Sequence, residues 1–371
     1  MVSFLIAPLT IACISGVLAA LIALIDKVVN NYGECKIDIN EGTKVETVNG
    51  GDHLLSLLST KGIFLPSACG GKGSCGACKC QVTTDVGPHL PTETPYLTKE
   101  EMADNVRLAC QIKVKSDLSI HIPEELFNVK QFNATVLSIK DLTYDIKEVV
   151  FDLGEESITF HSGMYVQIVV PPYAKVKGST QRAYSMSSRP LDHNKVELLI
   201  RLVPGGIATT YVHENLKEGD KMGLIGPFGD FRRSSTDSIM LCVAGGSGMA
   251  PFKSILHDMI DSNVTNRDVW YFFGARSLRD MFYMDEMRAL EKENSWFHFV
   301  PALSEPMEED NWTGETGLIT DVLDRFIKDS IGVEKDLEGY LCGSPGMINA
   351  CNNVMTNNGI PIEKIYYDSF A

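Results

Sequence analysis

Four cysteines constrain this chain more than any other feature. Cys69, Cys75 and Cys78 sit in one glycine-rich stretch (Ser67 to Cys80, SACGGKGSCGACKC) with the spacing C-x5-C-x2-C, and Cys110 follows well downstream. Three thiolates on a loop plus one from a distant segment is the donor pattern of a [2Fe–2S] cluster. The plant-type spacing has x4 in the first gap, so this loop is one residue longer. Gly70, Gly71, Gly73 and Gly76 allow positive φ and let backbone N–H groups approach the negatively charged sulfurs. Zinc and disulfides are the rival readings. Zinc sites pair two C-x2-C knuckles, and only one such knuckle is present. Disulfides would leave the run of glycines without a purpose. Strand alternation aims Cys80 to the same side as Cys78, but four ligands suffice, so Cys80 is read as packing.

With 371 residues the chain has room for two or three domains and an ample core. Its ten cysteines are too few for a disulfide scaffold. Those outside the cluster pattern (Cys13, Cys35, Cys80, Cys242, Cys342, Cys351) are scattered, as in a reducing compartment. The formal net charge of −15 argues against nucleic acid as a partner. From Val2 to Ile25 no side chain is charged. As a helix this stretch would span ~36 Å at ~1.5 Å per residue, enough to cross a bilayer core. A cleaved signal peptide would need a basic leading region and a shorter apolar run. The expectation is one uncleaved transmembrane helix over residues 2–25 in the cytoplasmic (inner) membrane. The catalytic domains would lie in the cytoplasm, where a cluster is assembled. Charge alone orients the helix weakly, because Asp26 neighbours Lys27.

The expected fold class is multidomain, in four parts. Residues 1–30 form the anchor and linker. Residues 31–127 form a β-grasp [2Fe–2S] ferredoxin domain: a hairpin from CKIDIN and KVETVNG, a helix over HLLSLLSTKG ended by Gly62, the cysteine loop, and a later strand around Gln111–Val114. Residues 128–234 form a closed antiparallel β-barrel, with strands in FNATVLSIKDL, IKEVVFDL, MYVQIVVP, RAYSMSS and KVELLIRLV. Residues 235–371 form an α/β doubly wound parallel-sheet domain, with strands in SIMLCVAGGSG, DVWYFFGAR, FHFVPAL and EGYLCGSPG.

Three motifs carry chemistry in the second half. Arg182-Ala183-Tyr184-Ser185 falls where a barrel strand should end. A guanidinium can fork onto a pyrophosphate, a tyrosine ring can lie on a flavin, and a serine hydroxyl can hydrogen-bond a flavin nitrogen. Gly206, Ile207, Ala208 and Thr209 open a helix-like stretch whose first N–H groups can hold phosphate. Each alone could be an ordinary turn or cap. Gly245, Gly246 and Gly248, followed by Met249, Ala250 and Pro251, form a strand-to-helix turn open to a pyrophosphate, though not the G-x-G-x-x-G fingerprint. Cys342 and Gly343 close another strand. Cys342 could touch a nicotinamide, or be a small buried thiol. Arg276 and Ser277 follow WYFFGA, where a 2′-phosphate could bind, while Asp280 and Glu286 nearby would repel it.

R-A-Y-S and G-G-x-G-M-A-P, with C-G-S-P near the end, resemble the ferredoxin–NADP reductase superfamily. With the apolar N-terminus and the cysteine loop in front, the chain is more narrowly similar to the family of F subunits of sodium-translocating NADH:quinone reductases. That resemblance runs through LPTETPYLTKEE, RLACQI, IPEELFNVK, GPFGDF, FFGARSLRDMFYMDEM, EDNWTGETGLI and the terminal YYDSFA. It implies FAD on the barrel, NADH on the last domain and one cluster. By position it implies Arg182, Tyr184 and Ser185 at the flavin, Thr209 at its phosphates, and Phe370 covering the flavin ring until nicotinamide displaces it. Membrane subunits of a quinone reductase complex are the implied partners, and NADH is the implied donor rather than NADPH. Two departures stand out: Pro171–Gln181 is short where the family carries a charged insertion, and Ala371 replaces a usual terminal Gly. The alternative reading is a reductase component delivering electrons from NAD(P)H to an oxygenase, from which the N-terminal anchor discriminates. A redox-sensing membrane protein is a third.

Overall fold

The computed structural model describes residues 12, 14–21 and 32–369. Most of the expected anchor over residues 2–25 lies outside the described residues. Within it, residues 14–21 are helical, with Ile14, Val17, Leu18 and Leu21 exposed. Among the described residues no helix is long and apolar enough to cross a membrane. The chain divides into two compact units, residues 1–128 and 129–371.

In the first unit, alternation of apolar and polar residues produces β1 (Glu34–Ile39) and β2 (Lys44–Asn49), paired antiparallel as a hairpin. The turn places Asn40, Glu41 and Gly42 at positive φ, and the Gly42 N–H donates to the Asp38 carboxylate. Helix Leu54–Thr60 buries Leu54 and Leu58, and Gly62 at φ +72° lets the chain turn off it. Three short strands follow: β3 (Lys79–Val82), β4 (Val106–Leu108) and β5 (Leu118–His121). The sheet order is β2-β1-β5-β3-β4, with the last strand inserted parallel to the first, which is the β-grasp arrangement. Its core gathers Ile37, Ile39, Leu54, Leu58, Ile112 and Ile120 under the cysteine loop.

The strand expected at Gln111–Val114 is not there. Ala109–Gln111 is a 3-10 turn, and only Lys113 makes a bridge, to His53. The reason is local: the chain must leave β4 abruptly to bring Cys110 to the loop. The Ala109 N–H to the Cys78 carbonyl (2.8 Å) ties the two segments.

The second unit begins with a six-stranded antiparallel sheet: β6 (Lys130–Asp141), β7 (Ile146–Asp152), β8 (Tyr165–Val170), β9 (Thr180–Ser185), β10 (Lys195–Arg201) and β11 (Lys221–Phe228). The order is β10-β7-β6-β11-β8-β9, and a bridge between Met186 and Leu198 brings the two edges together, so the sheet closes. A parallel sheet follows: β12 (Ile239–Gly245), β13 (Val269–Ala275), β14 (Phe297–Leu303), β15 (Glu315–Thr316), β16 (Leu337–Gly343) and β17 (Ile365–Ser369), in the order β15-β14-β13-β12-β16-β17. Alternate residues of β12 enter different cores: Met240, Cys242 and Ala244 on one face, Leu241 and Val243 on the other. Burial on both faces is the signature of a doubly wound sheet. Strand order reverses between β12 and β16, so the ligand crevice belongs at their carboxyl ends. Ile146, Leu199 and Phe231 of the barrel pack into the same core as the helix Met249–Asp261, so barrel and parallel sheet share apolar contacts.

Candidate functional site

The cysteine loop is shaped by four glycines at positive φ: Gly70 (67°), Gly71 (83°), Gly73 (70°) and Gly76 (69°). A Cβ on Gly76 would lie 2.7 Å from the nearest Tyr96 side-chain carbon, and one on Gly73 would lie 2.6 Å from Gln111 Nε2. The buried Ser67 hydroxyl accepts the Gly71 N–H at 2.8 Å, fixing the first bend. The thiols come in two pairs. Cys75 donates to Cys69 Sγ across 3.4 Å, and Cys78 donates to Cys110. The Cys75 hydrogen bond, aided by the backbone at Ser74 and Lys72, lowers Cys69 to about 4. The Cys78 hydrogen bond lowers Cys110 to about 6. Cys75 and Cys78, the donors, are pushed up correspondingly.

Among the described residues no three His, Cys, Asp or Glu side chains converge as a single-ion site requires. Two thiolate pairs on a glycine cradle fit a two-iron cluster better than one tetrahedral zinc. Cys80 is buried and pushed up to about 12 by burial, as a packed thiol should be. The described cysteines are all free.

Behind the loop stands a buried ion pair that sequence reasoning missed. Arg107 and Glu93 meet at 2.7 Å, with side chains 3 % and 0 % exposed. The Glu93 carboxylate also accepts the N–H groups of Leu90 and Leu108, and Arg107 donates to the carbonyls of Gly87 and Pro88. Burial pushes Glu93 up, but the guanidinium and the two amides outweigh it and hold the carboxyl below its ordinary range. The pair therefore clamps the segment 87–93 to the strand that delivers Cys110.

In the second unit, Arg182, Tyr184 and Ser185 close β9. Arg182 is half-buried and donates to the Gln181 carbonyl at 2.6 Å. Burial pushes the Tyr184 phenol up to about 12. Ser185 is buried and donates to Asp368 Oδ2 at 2.7 Å, joining the barrel to β17 of the parallel sheet. Burial raises Asp368, with the Ser185 hydrogen bond opposing it. Nothing in the sequence marked Asp368, which arrives from 183 positions away. Phe370, two residues on, lies outside the described residues.

Gly206 caps the helix Ile207–Glu214. The Thr209 hydroxyl is engaged within its own turn, accepting the Val203 N–H at 3.1 Å. Buried Ala208 packs into the barrel core, and the Ile207 carbonyl accepts the Tyr173 hydroxyl at 2.6 Å. What remains for an anion there is the set of N–H groups of the first helical turn.

At the carboxyl edge of the parallel sheet, Gly245–Gly248 and Gly343 flank the reversal of strand order. Gly246 has φ +55°, and a Cβ on Gly248 would fall 2.4 Å from the Cys342 carbonyl oxygen, so the two turns touch backbone to backbone. Met249, Ala250 and Pro251 are buried in the helix that follows. Cys342 is fully buried, and burial raises its thiol well above the ordinary range. Arg276 is held by Glu305 at 2.9 Å, a residue sequence reasoning did not single out. Asp280 accepts from the Ser277 N–H and hydroxyl, whereas Glu286 faces His257 at 3.5 Å rather than Arg276.

Residues 37–115 match the 2Fe-2S iron-sulfur cluster binding domain, residues 133–232 the oxidoreductase FAD-binding domain and residues 242–353 the oxidoreductase NAD-binding domain. Among solved structures, the Amycolatopsis cytochrome P450 reductase is similar at TM-score 0.72 and 27 % identity, over 91 % of this chain and 98 % of that one. The ferredoxin reductase in carbazole 1,9a-dioxygenase is similar at TM-score 0.67 and 27 % identity, over 91 % and 99 %. The F subunit of the Na(+)-translocating NADH-quinone reductase in Klebsiella pneumoniae is 38 % identical over 96 % of each chain. Its counterpart in Pseudomonas aeruginosa is 37 % identical over 97 % of this chain and 96 % of its own. Identity sustained across all three cofactor domains and almost the full length of both partners places this chain in the family of F subunits of the Na(+)-translocating NADH-quinone reductase.

Proposed function

We propose that this chain is the electron-input component of a membrane-bound NADH:quinone reductase. It takes electrons from NADH through FAD to a [2Fe–2S] cluster, and passes them to membrane subunits that reduce quinone and move sodium. The observation that carries the reading is the Ser185–Asp368 contact, 2.7 Å long, which sets the end of the barrel strand against the carboxyl edge of the nucleotide sheet. A flavin on the first and a nicotinamide on the second would meet there. FAD bound there would supply the conversion between two-electron and one-electron transfer that a one-electron cluster requires.

The residues supply position. Cys69, Cys75, Cys78 and Cys110 ligate the cluster. Arg182 and the amides of Ile207–Thr209 would hold the FAD phosphates, with Gly206 fixing the turn through its own N–H to the Val203 carbonyl. Tyr184 would lie on the flavin ring, Ser185 would present its hydroxyl to the flavin edge once released from Asp368, and Phe370 would cover the opposite face until NADH arrives. Gly245, Gly246 and Gly248, with the start of the helix Met249–Asp261, accept the NADH pyrophosphate. Gly343 leaves room beside them, Cys342 underlies the nicotinamide, and Arg276 borders the adenosine ribose, its charge countered by Glu305. The working domains are 31–127, 128–234 and 235–371. Residues 2–25 anchor the chain in the inner membrane with its domains in the cytoplasm, supported by the uncharged stretch and by its exposed apolar helical residues 14–21.

The test is the native membrane complex carrying Cys78→Ser. NADH should still bleach the flavin while quinone reduction is lost. Quinone reduction at the parental rate would sink the proposal. Deleting residues 1–30 without loss of physiological electron delivery would favour the oxygenase-reductase alternative.

A further inference from the structure

The Gln111 side chain reaches one of the four sulfurs, as the Ser74 side chain does at Cys69. Gln111 directly follows Cys110 in the 3-10 turn Ala109–Gln111. Its Nε2 lies 3.3 Å from the Cys110 carbonyl oxygen and 3.5 Å from Cys110 Sγ. A carbonyl can only accept a hydrogen bond, and so can a metal-bound thiolate, so the amide end facing them is the NH2 group. The other end is also held: the Thr92 hydroxyl donates to Gln111 Oε1 at 2.8 Å. The loop itself leaves the space. A Cβ on Gly73 would stand 2.6 Å from Gln111 Nε2 and 3.1 Å from its Cδ, so only glycine lets the amide lie there. Three separate segments thus converge to aim one N–H dipole at one sulfur.

We propose that Gln111 tunes the reduction potential of the cluster through its N–H to Cys110 Sγ, with Thr92 as the residue that orients it. Reduction adds one electron and one negative charge to the cluster and its thiolates, with no bond made or broken. A donor aimed at a thiolate stabilises the more negative state more than the oxidised one, and so raises the potential. The amide is half-buried and fixed at both ends, so little reorganisation accompanies the electron. The gain favours transfer of electrons from the flavin onto the cluster. This rests on the cluster reading above, and the experiment separates the two.

The full chain is prepared anaerobically as the parent protein and as Gln111→Leu, Gln111→Glu and Thr92→Val. Iron and acid-labile sulfide are assayed first, then the cluster is titrated with dithionite under paramagnetic-resonance detection. Gln111→Leu should cost about tenfold in the equilibrium constant for reduction, a downward shift of about 59 mV for a one-electron couple. Gln111→Glu, which keeps the shape but turns the donor into an anion, should fall further. Thr92→Val should shift in the same direction by a smaller amount. Cluster-replete variants with unchanged midpoints would overturn the proposal. If Gln111→Leu fails to assemble, Thr92→Val decides, and an unchanged midpoint there overturns it equally. Absence of iron and sulfide from the parent protein would instead strike the cluster reading itself.

Discussion

In the stretch Ser67–Cys80 the groups suited to grip a cofactor are side chains on a loop. At the carboxyl edge of the parallel sheet they are backbone amides between strands. The loop has no regular structure of its own. Its shape comes from four glycines at positive φ and from clamps behind it, of which Glu93–Arg107 is the most buried. The sheet edge is the reverse: the strands fix it, and beyond the left-handed turn at Gly246 its glycines keep Cβ atoms out of the way, as at Gly248 against the Cys342 carbonyl. A site made of side chains depends on which residues are present. A site made of backbone depends on which atoms are absent.

That contrast predicts different failures. Cys78→Ser should abolish cluster-dependent electron delivery altogether while leaving NADH binding intact, measured as flavin bleaching against quinone reduction in the complex. An equal loss of both would break the separation between the sites. Gly248→Ala should do the opposite. Its methyl group meets a carbonyl oxygen that cannot swing aside, so kcat/KM for NADH should fall by about a hundredfold while iron and sulfide content stays at the parental level.

Glu93→Gln leaves the Arg107 charge buried and unbalanced. It should cost the first unit about 3 kcal/mol in denaturant unfolding followed by cluster absorbance. The pH dependence has a definite sign. The folded carboxyl is held below the ordinary glutamate value of 4.5, so the pair's stabilisation is whole above that value. It is lost as pH falls through the lower folded value. The variant should therefore lose the acid-side slope that the parent protein shows; an identical slope would mean that Glu93 does not carry it. The smallest effect is at the rim. Glu305→Gln frees Arg276 at an exposed pair, so the NADPH-to-NADH ratio of kcat/KM should rise by up to about fivefold. No change would remove Glu305 from nucleotide selection.

The same contrast explains what could be read from the sequence. The cysteine loop was legible because its three cysteines and four glycines are neighbours in the chain. The R-A-Y-S strand and both glycine turns were legible because each is a local strand-end pattern. Asp368, Glu305 and the Glu93–Arg107 pair were not, since their partners come from 183, 29 and 14 positions away and no spacing rule links them. Strand β11 escaped because Gly223, Gly226 and Pro227 dilute its alternation, although it lies inside the barrel between β6 and β8. The strand expected at Gln111–Val114 had the right apolar alternation at Ile112 and Val114, but the demand to present Cys110 bent it into a turn.

Ile146, Leu199 and Phe231 sit in one core with the helix Met249–Asp261. Barrel and parallel sheet therefore cannot come apart without opening that core, and should melt as a single cooperative block. The ferredoxin sheet buries its own separate set of apolar side chains. Damage to the iron centre, by oxygen or by acid, would then spare the flavin half. With dioxygen taking electrons from the flavin in place of the lost outlet, such a molecule would go on consuming NADH, and a cell carrying it would lose reducing power to no purpose.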